Sequence, residues 1–149
     1  MLIGTWERYD RTVNGQRLDV GTSEWHDYFL SELEIGHDKL TAKGAPMVIL
    51  TSPCSKPTTA PDGPPVPELS DARRHDAVND VIREFAKKHP KDTALVDLDT
   101  YICVGGKYRD ELSGAQLHTD GVHFTVPGAT AVWQWLVPQI AKIVPPTAK

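Results

Sequence analysis

The sequence has few cysteines, no basic run and no long hydrophobic stretch. Only Cys54 and Cys103 occur among 149 residues, which excludes a disulfide-rich scaffold, and their spacing fits no zinc motif. No apolar stretch reaches membrane-spanning length, and no signal-peptide pattern follows Met1. Taken literally, these absences predict a cytoplasmic protein. The first residues already read as a strand, however, which leaves room for an upstream segment and any targeting information in it.

Charge and composition narrow the class of protein further. The formal net charge is -4, and we therefore expect neither a nucleic-acid partner nor an anionic membrane partner. Hydrophobic residues make up 40% and charged residues 24%, which is typical of a globular domain. The length predicts a single domain over residues 1–144, followed by a frayed tail at 145–149.

Strand and helix patterns alternate along the chain. Strands are predicted at 1–5, 46–52 and 94–99. Helices are predicted after Thr22 and after Ser70, the expected N-cap residues, and from about Pro127. This order is typical of an α/β fold, in which a parallel sheet carries helices on its faces. Sites in such sheets gather at the carboxyl ends of the strands, which predicts one functional rim.

The segment HTDGVHFT, residues 118–125, places an acid and an imidazole three positions apart at that rim. Asp120 and His123 suit a catalytic acid–base pair carried on one loop. Two other interpretations are open at this point. Asp120 can be a simple helix-side cap, and His118, Asp120 and His123 can together ligate a metal ion.

The order of the blocks GTWE, TSEW, VILTSPCS, VDLDTYIC and DGVHFT resembles that of the SGNH (GDSL-type) hydrolases. It is similar in particular to SGNH domains attached to bacterial membrane acyltransferases. In that family a D-x-x-H motif lies in the loop before the last helix. Arg74 and Asn79, on the preceding helix, support the resemblance, which covers nearly the whole chain. It implies a flavodoxin-like SGNH fold, incomplete at its N-terminus, and an extracytoplasmic location.

The resemblance implies a serine esterase or O-acyltransferase that acts on small acyl esters, among them O-acetyl groups of cell-surface glycans. His123 is expected to take the proton of a serine hydroxyl, and Asp120 to orient the imidazole. Neither a metal nor an organic cofactor is implied. A membrane acyltransferase domain is a partner by the same resemblance.

The chain departs from the family at two positions. It has no GDS motif, and its serines are Ser23, Ser31, Ser52, Ser55, Ser70 and Ser113. The family's GxND block corresponds to residues 4–7, where Trp6 replaces the asparagine that helps to bind the oxyanion. Gly4 and Trp6 are therefore candidates for the oxyanion and acyl pocket, although an indole N–H donates only one hydrogen bond.

The missing motif predicts that the nucleophile of His123 lies outside this sequence. The chain would then begin at the third strand and expose a central strand as an edge. We expect an upstream segment or a second copy to complete the sheet. The alternative is a catalytically inactive SGNH-like remnant that binds a carbohydrate or a partner.

Several other side chains carry expectations. Cys54 and Cys103 follow neighbouring strands at a spacing that suits a disulfide, with two free thiols as the alternative; the implied extracytoplasmic location favours the bond. Trp133 is predicted in the core and Trp135 is left open. The four helical histidines are predicted at the surface, and they are His26, His37, His75 and His89.

Overall fold

Strands and helices alternate in the computed structural model, which describes residues 1–57 and 63–144. The strands are β1 (Arg11–Val13), β2 (Gln16–Leu18), β3 (Met47–Leu50), β4 (Thr93–Val96), β5 (Glu111–Leu112) and β6 (Ala115–Gln116). The helices are α1 (Ser23–Thr41), α2 (Pro67–Ser70), α3 (Ala72–Lys88), α4 (Leu98–Ile102) and α5 (Val126–Ile143). The predicted tail at 145–149 lies outside the described residues.

The parallel part of the structure is formed by β3 and β4, whose residues pair in register from Met47 with Thr93 to Leu50 with Val96. Leu2 adds a single parallel bridge to Leu50 on the other side of β3. The other strand pairs, β1–β2 and β5–β6, are antiparallel hairpins. The α/β prediction is confirmed, while the larger flavodoxin-like sheet stays a prediction, since the described residues form no extended parallel sheet.

Alternation along β3 places hydrophobic side chains on both faces of the strand pair. Met47 and Ile49 face one core, which α1 and α3 cover; its largest buried members are Trp25, Phe29, Ile82 and Phe85. Val48 and Leu50 face a second core, which α4 and α5 cover; it includes Leu98, Ile102, Leu117, Val132 and Leu136. Helices therefore flank both faces.

The helix starts follow local capping rules. The Thr22 hydroxyl accepts from the N–H of Trp25, as the sequence predicts for an N-cap. The prediction that Ser70 caps the next helix is wrong, because Asp71 accepts from the N–H of Arg73 and the preceding residues form the separate short helix α2. The strand predicted at 94–99 corresponds to β4, which ends earlier than predicted, at Val96.

Three predictions of side-chain exposure are wrong: Trp133 was predicted in the core, and His37 and His75 at the surface. Trp133 is 56% exposed and not in the core, whereas Trp135 stacks on Tyr101 with ring centroids 4.1 Å apart. His37 and His75 are buried, although both lie on helices where polar residues were expected to face water. No helix in the described part of the chain is both long and apolar enough to cross a membrane.

Candidate functional site

The loop 118–125 is held in place by backbone hydrogen bonds. The N–H of Thr119 donates to the carbonyl of His123 over 2.9 Å, and the N–H of Lys56 donates to the carbonyl of Gly121 over 3.2 Å. Gly121 has φ +82°, and a Cβ there would lie 2.0 Å from the Lys56 carbonyl oxygen. Only glycine fits this position, because any other residue would push the loop away from the segment after β3.

Asp120 and His123 are in direct contact. Asp120 Oδ2 lies 2.7 Å from His123 Nδ1. Asp120 Oδ1 accepts from the backbone N–H groups of Val122 and His123 over 3.0 and 2.8 Å. Burial alone would raise the pKa of Asp120, but these hydrogen bonds lower it to about 2. The carboxylate is therefore ionised at neutral pH and holds the proton of His123 on Nδ1, which leaves Nε2 as the basic nitrogen.

The His123 side chain is 78% exposed. Among the described residues its Nε2 has no hydrogen-bond partner. His118 is not part of the pair, since it is buried between the rings of Tyr108 and Phe124 and burial lowers its pKa. The described residues do not gather His118, Asp120 and His123 into a three-ligand metal group.

No serine within residues 1–57 and 63–144 is hydrogen-bonded to His123. Ser52, which follows β3, is 1% exposed, and its hydroxyl accepts from Arg8 over 2.8 Å. Its backbone N–H and carbonyl are both bound by the Asn79 amide. Ser52 is therefore part of the buried frame of the site.

Gly4 lies directly against Ser52. Its φ is +120°, and a Cβ there would lie 2.3 Å from the Ser52 Cβ, so the close approach requires glycine. The N–H of Gly4, the candidate oxyanion donor, donates to the Glu7 carboxylate over 2.8 Å. Trp6 is 72% exposed and stacks loosely on Tyr9, with centroids 6.0 Å apart.

A cavity of about 310 Å³ joins the predicted pocket residues to the His123 loop. Gly4 and Trp6 line it together with Val122 and Phe124, which flank His123, and with Ser52 after β3. The structure thus brings three separate sequence blocks to one place, the carboxyl end of β3.

Arg8 is a buried arginine that links two of these blocks, and no motif in the sequence indicates it. The side chain is 1% exposed. One terminal nitrogen donates to the Ser55 hydroxyl and the Leu69 carbonyl, and the other to the Ser52 hydroxyl and the Pro53 carbonyl, all over 2.7 to 2.9 Å. Burial lowers the pKa of Arg8 to about 10, although nearby carboxylates oppose the shift. No local pattern marks such a residue, because its partners are 44 to 61 positions away.

A second buried polar group supports Ser52 from the side of α3. His75 Nε2 lies 3.0 Å from the Ser52 carbonyl, from Asp99 Oδ1 and from the Asn79 amide nitrogen. Burial alone would lower the pKa of His75, but the Asp99 carboxylate raises it above its usual value. These residues orient the segment after β3 and do not face the cavity.

The predicted disulfide between Cys54 and Cys103 is confirmed. The sulfur atoms lie 2.10 Å apart and the Cα atoms 6.0 Å apart. The bond joins the segment after β3 to the C-terminal end of α4. It therefore links these two segments covalently, next to the residues that Arg8 binds.

Reduction of this bond is expected to lower the free energy of unfolding by about 2–4 kcal/mol, because a 49-residue separation gives the unfolded chain much loop-closure entropy to regain. Urea unfolding with and without reductant measures the change. The Cys54→Ser/Cys103→Ser variant is the control, since reductant should leave its curve unchanged. Full thiol release with no shift of the wild-type curve would contradict the expectation.

An apolar groove of about 330 Å³ lies beside the cavity, between the N-terminal edge and α5. Its walls include Met1, Leu2, Leu50, Phe124, Trp133 and Leu136. Leu2 and Phe124 line both the groove and the site cavity. The groove explains the exposure of Trp133, which has nothing above it in the described structure.

No known family model matches the chain, and no curated protein matches it.

Proposed function

We propose that the chain carries the acid–base part of an SGNH-type serine esterase or O-acyltransferase. The observation that carries the proposal is the contact between Asp120 and His123, which leaves Nε2 exposed on a loop whose residues Val122 and Phe124 line a cavity. The flavodoxin-like fold and the substrate class, small acyl esters such as O-acetyl groups of cell-surface glycans, follow from the family resemblance.

In the proposed reaction, His123 Nε2 takes the proton of a serine hydroxyl as the serine oxygen attacks the ester carbonyl. Asp120 keeps the Nδ1 proton in place and stabilises the imidazolium. The tetrahedral intermediate then collapses, and His123 returns the proton to the leaving alcohol. Water or an acceptor alcohol removes the acyl group from the serine by the same steps.

The serine is supplied by a segment outside these 149 residues, which docks on the groove as a further parallel strand. Leu2 is bridged to β3 on one side, and apolar side chains line the space beyond it. Because parallel strands end at the same rim, a strand placed there would deliver its last residue to the cavity. Leu2 and Phe124 line both the groove and the cavity, which supports a strand in the groove that ends at the cavity.

The oxyanion donor requires one rearrangement. The Gly4 N–H donates to Glu7, so it can bind a carbonyl oxygen only after Glu7 releases it. Docking of the proposed strand beside Leu2, two residues away, is the step we propose for this release.

A second candidate, a carbohydrate-binding remnant without activity, is favoured by two observations. The Gly4 donor is already occupied, and the exposed Trp6 ring offers a broad face for stacking on a sugar. In this alternative the Asp120–His123 contact is only a loop-stabilising turn.

Fluorophosphonate labelling of the native protein, isolated from cells with an antibody to this chain, separates the two candidates. The probe reacts with a base-activated serine, and peptide mapping identifies it. We expect one labelled serine outside residues 1–149, on the same polypeptide. A labelled peptide from a separate chain would identify a different donor of the strand. A labelled serine within the chain would contradict the proposed origin of the nucleophile, and no labelling at all would favour the carbohydrate-binding remnant.

A further inference from the structure

A cluster of metal-ligating side chains lies at the end of the sheet opposite the candidate site. Glu34 and His37 are one turn apart on α1, and His89 follows the last residue of α3. Each offers one ligand atom, and these atoms all lie within 4.8 Å of one another. Asp92, directly before β4, lies next to His37 and brings a second carboxylate to the cluster. The cluster thus joins α1, α3 and the start of the sheet.

His37 has an unsatisfied ring nitrogen. The residue is 5% exposed, and its Nδ1 is buried without a hydrogen-bond partner; Asp38 Oδ1, 3.6 Å away, is too distant to accept a hydrogen bond from it. Its Nε2 lies 3.0 Å from Asp92 Oδ1. Buried polar atoms without partners are rare because they lose hydration and gain nothing. A carboxylate that orients one nitrogen while the other is left free is the usual support of a metal-binding imidazole.

The remaining ligands are already turned toward each other. His89 Nε2 lies 2.8 Å from a Glu34 carboxylate oxygen, and the His37 and His89 ring centroids are 4.3 Å apart. Phe85 lies against both rings and closes the inner side of the cluster. Glu34 is 40% exposed, so its side chain can move toward an ion.

We propose that Glu34, His37 and His89 form a binding site for a divalent transition metal, with Zn²⁺ as the best match to two imidazoles and a carboxylate. Tetrahedral Zn²⁺ with bonds near 2.1 Å places its ligand atoms about 3.4 Å apart. The ligand atoms lie within 4.8 Å of one another, so the longer separations shrink by about 1.4 Å or less, while His89 Nε2 and the Glu34 oxygen, 2.8 Å apart, move slightly apart. Asp92 orients His37, and the ion fastens α1 to the α3–β4 connection. The role is structural and separate from the acyl-transfer reaction.

Isothermal titration of the chelator-treated protein with Zn²⁺ tests the site. We expect one ion per chain and a rise in Tm of roughly 5–10 °C at a free zinc concentration near one hundred times Kd. Glu34→Gln and His89→Ala should weaken binding by more than about 100-fold, and Asp92→Asn by about 10–100-fold. These variants avoid replacing the buried His37 ring. Co²⁺ in place of Zn²⁺ should give the visible absorption of a tetrahedral site.

His26→Ala is the matched control. His26 also lies on α1 between two carboxylates, those of Asp27 and Glu84, but belongs to no three-ligand group in the described structure. Its variant should bind zinc like the wild type. The proposal is overturned if zinc gives neither heat nor a Tm shift. It is equally overturned if His89→Ala binds normally, or if binding is lost in His123→Ala instead.

Discussion

His123→Ala is expected to abolish acyl transfer by the native protein, lowering kcat for the probe p-nitrophenyl acetate by about a millionfold. The reason is that the serine hydroxyl then loses the imidazole that the proposal assigns as its base. Asp120→Asn should lower kcat by about 10⁴-fold. An amide can hold the ring, but it does not hold the proton on Nδ1 or stabilise the imidazolium. Fluorophosphonate labelling should fall in parallel with kcat.

The control for this pair is again His26→Ala, because His26 Nδ1 lies 3.1 Å from the Asp27 carboxylate in a similar imidazole–carboxylate contact. Its kcat should stay within a factor of two of the wild type. Equal losses in the two histidine variants would mean that hydrolysis is a general property of surface imidazoles. A His123→Ala protein that still labels fully would remove His123 from the mechanism.

Arg8→Ala is expected to lower the free energy of unfolding by roughly 3–5 kcal/mol, a drop in Tm of about 10 °C. The guanidinium is buried and donates to two hydroxyls and two carbonyls, through two buried and two partly buried hydrogen bonds. Its loss leaves a cavity and several buried acceptors without donors. The same change should loosen the segment after β3 and the turn that carries Gly4.

Thermal and urea unfolding measure the effect of Arg8→Ala, and Arg17→Ala is the matched control. Arg17 forms ion pairs with Asp10 and Asp19, but its side chain is 69% exposed. Exposed pairs contribute less than about 1 kcal/mol, so this control should unfold almost like the wild type. If the two variants lose similar stability, the buried hydrogen bonds do not hold the site together.

The elements that the sequence predicts well are those determined by near neighbours. The spacing of apolar residues defined α1, and Thr22 marked its start, because a capping hydroxyl acts three residues away. The same local rules failed between Ser70 and Asp71. Both residues suit an N-cap, and the proline at Pro67 began a short helix of its own. Either residue can begin α3 by its local chemistry, and the structure places the N-cap at Asp71.

The candidate site likewise contains residues that the sequence predicts and residues that it does not. Asp120 and His123 are found from sequence because a single loop brings them into contact at 2.7 Å. Arg8 and His75 are not, since their partners are distant along the chain and depend on the complete fold. Trp133 shows a third case. Helical spacing identifies an apolar face, but it does not tell whether another element of the described chain covers that face.

Leu2 and Phe124 line both the groove and the site cavity, so the proposed catalysis would depend on whether a strand occupies the groove. A serine-bearing strand on the same polypeptide would meet the groove at an effective concentration in the millimolar range. Activity would then be insensitive to dilution. A strand on a separate molecule would give a rate that falls as the protein is diluted. Whether the serine-bearing strand belongs to the same polypeptide would therefore decide whether the activity persists at low protein concentration.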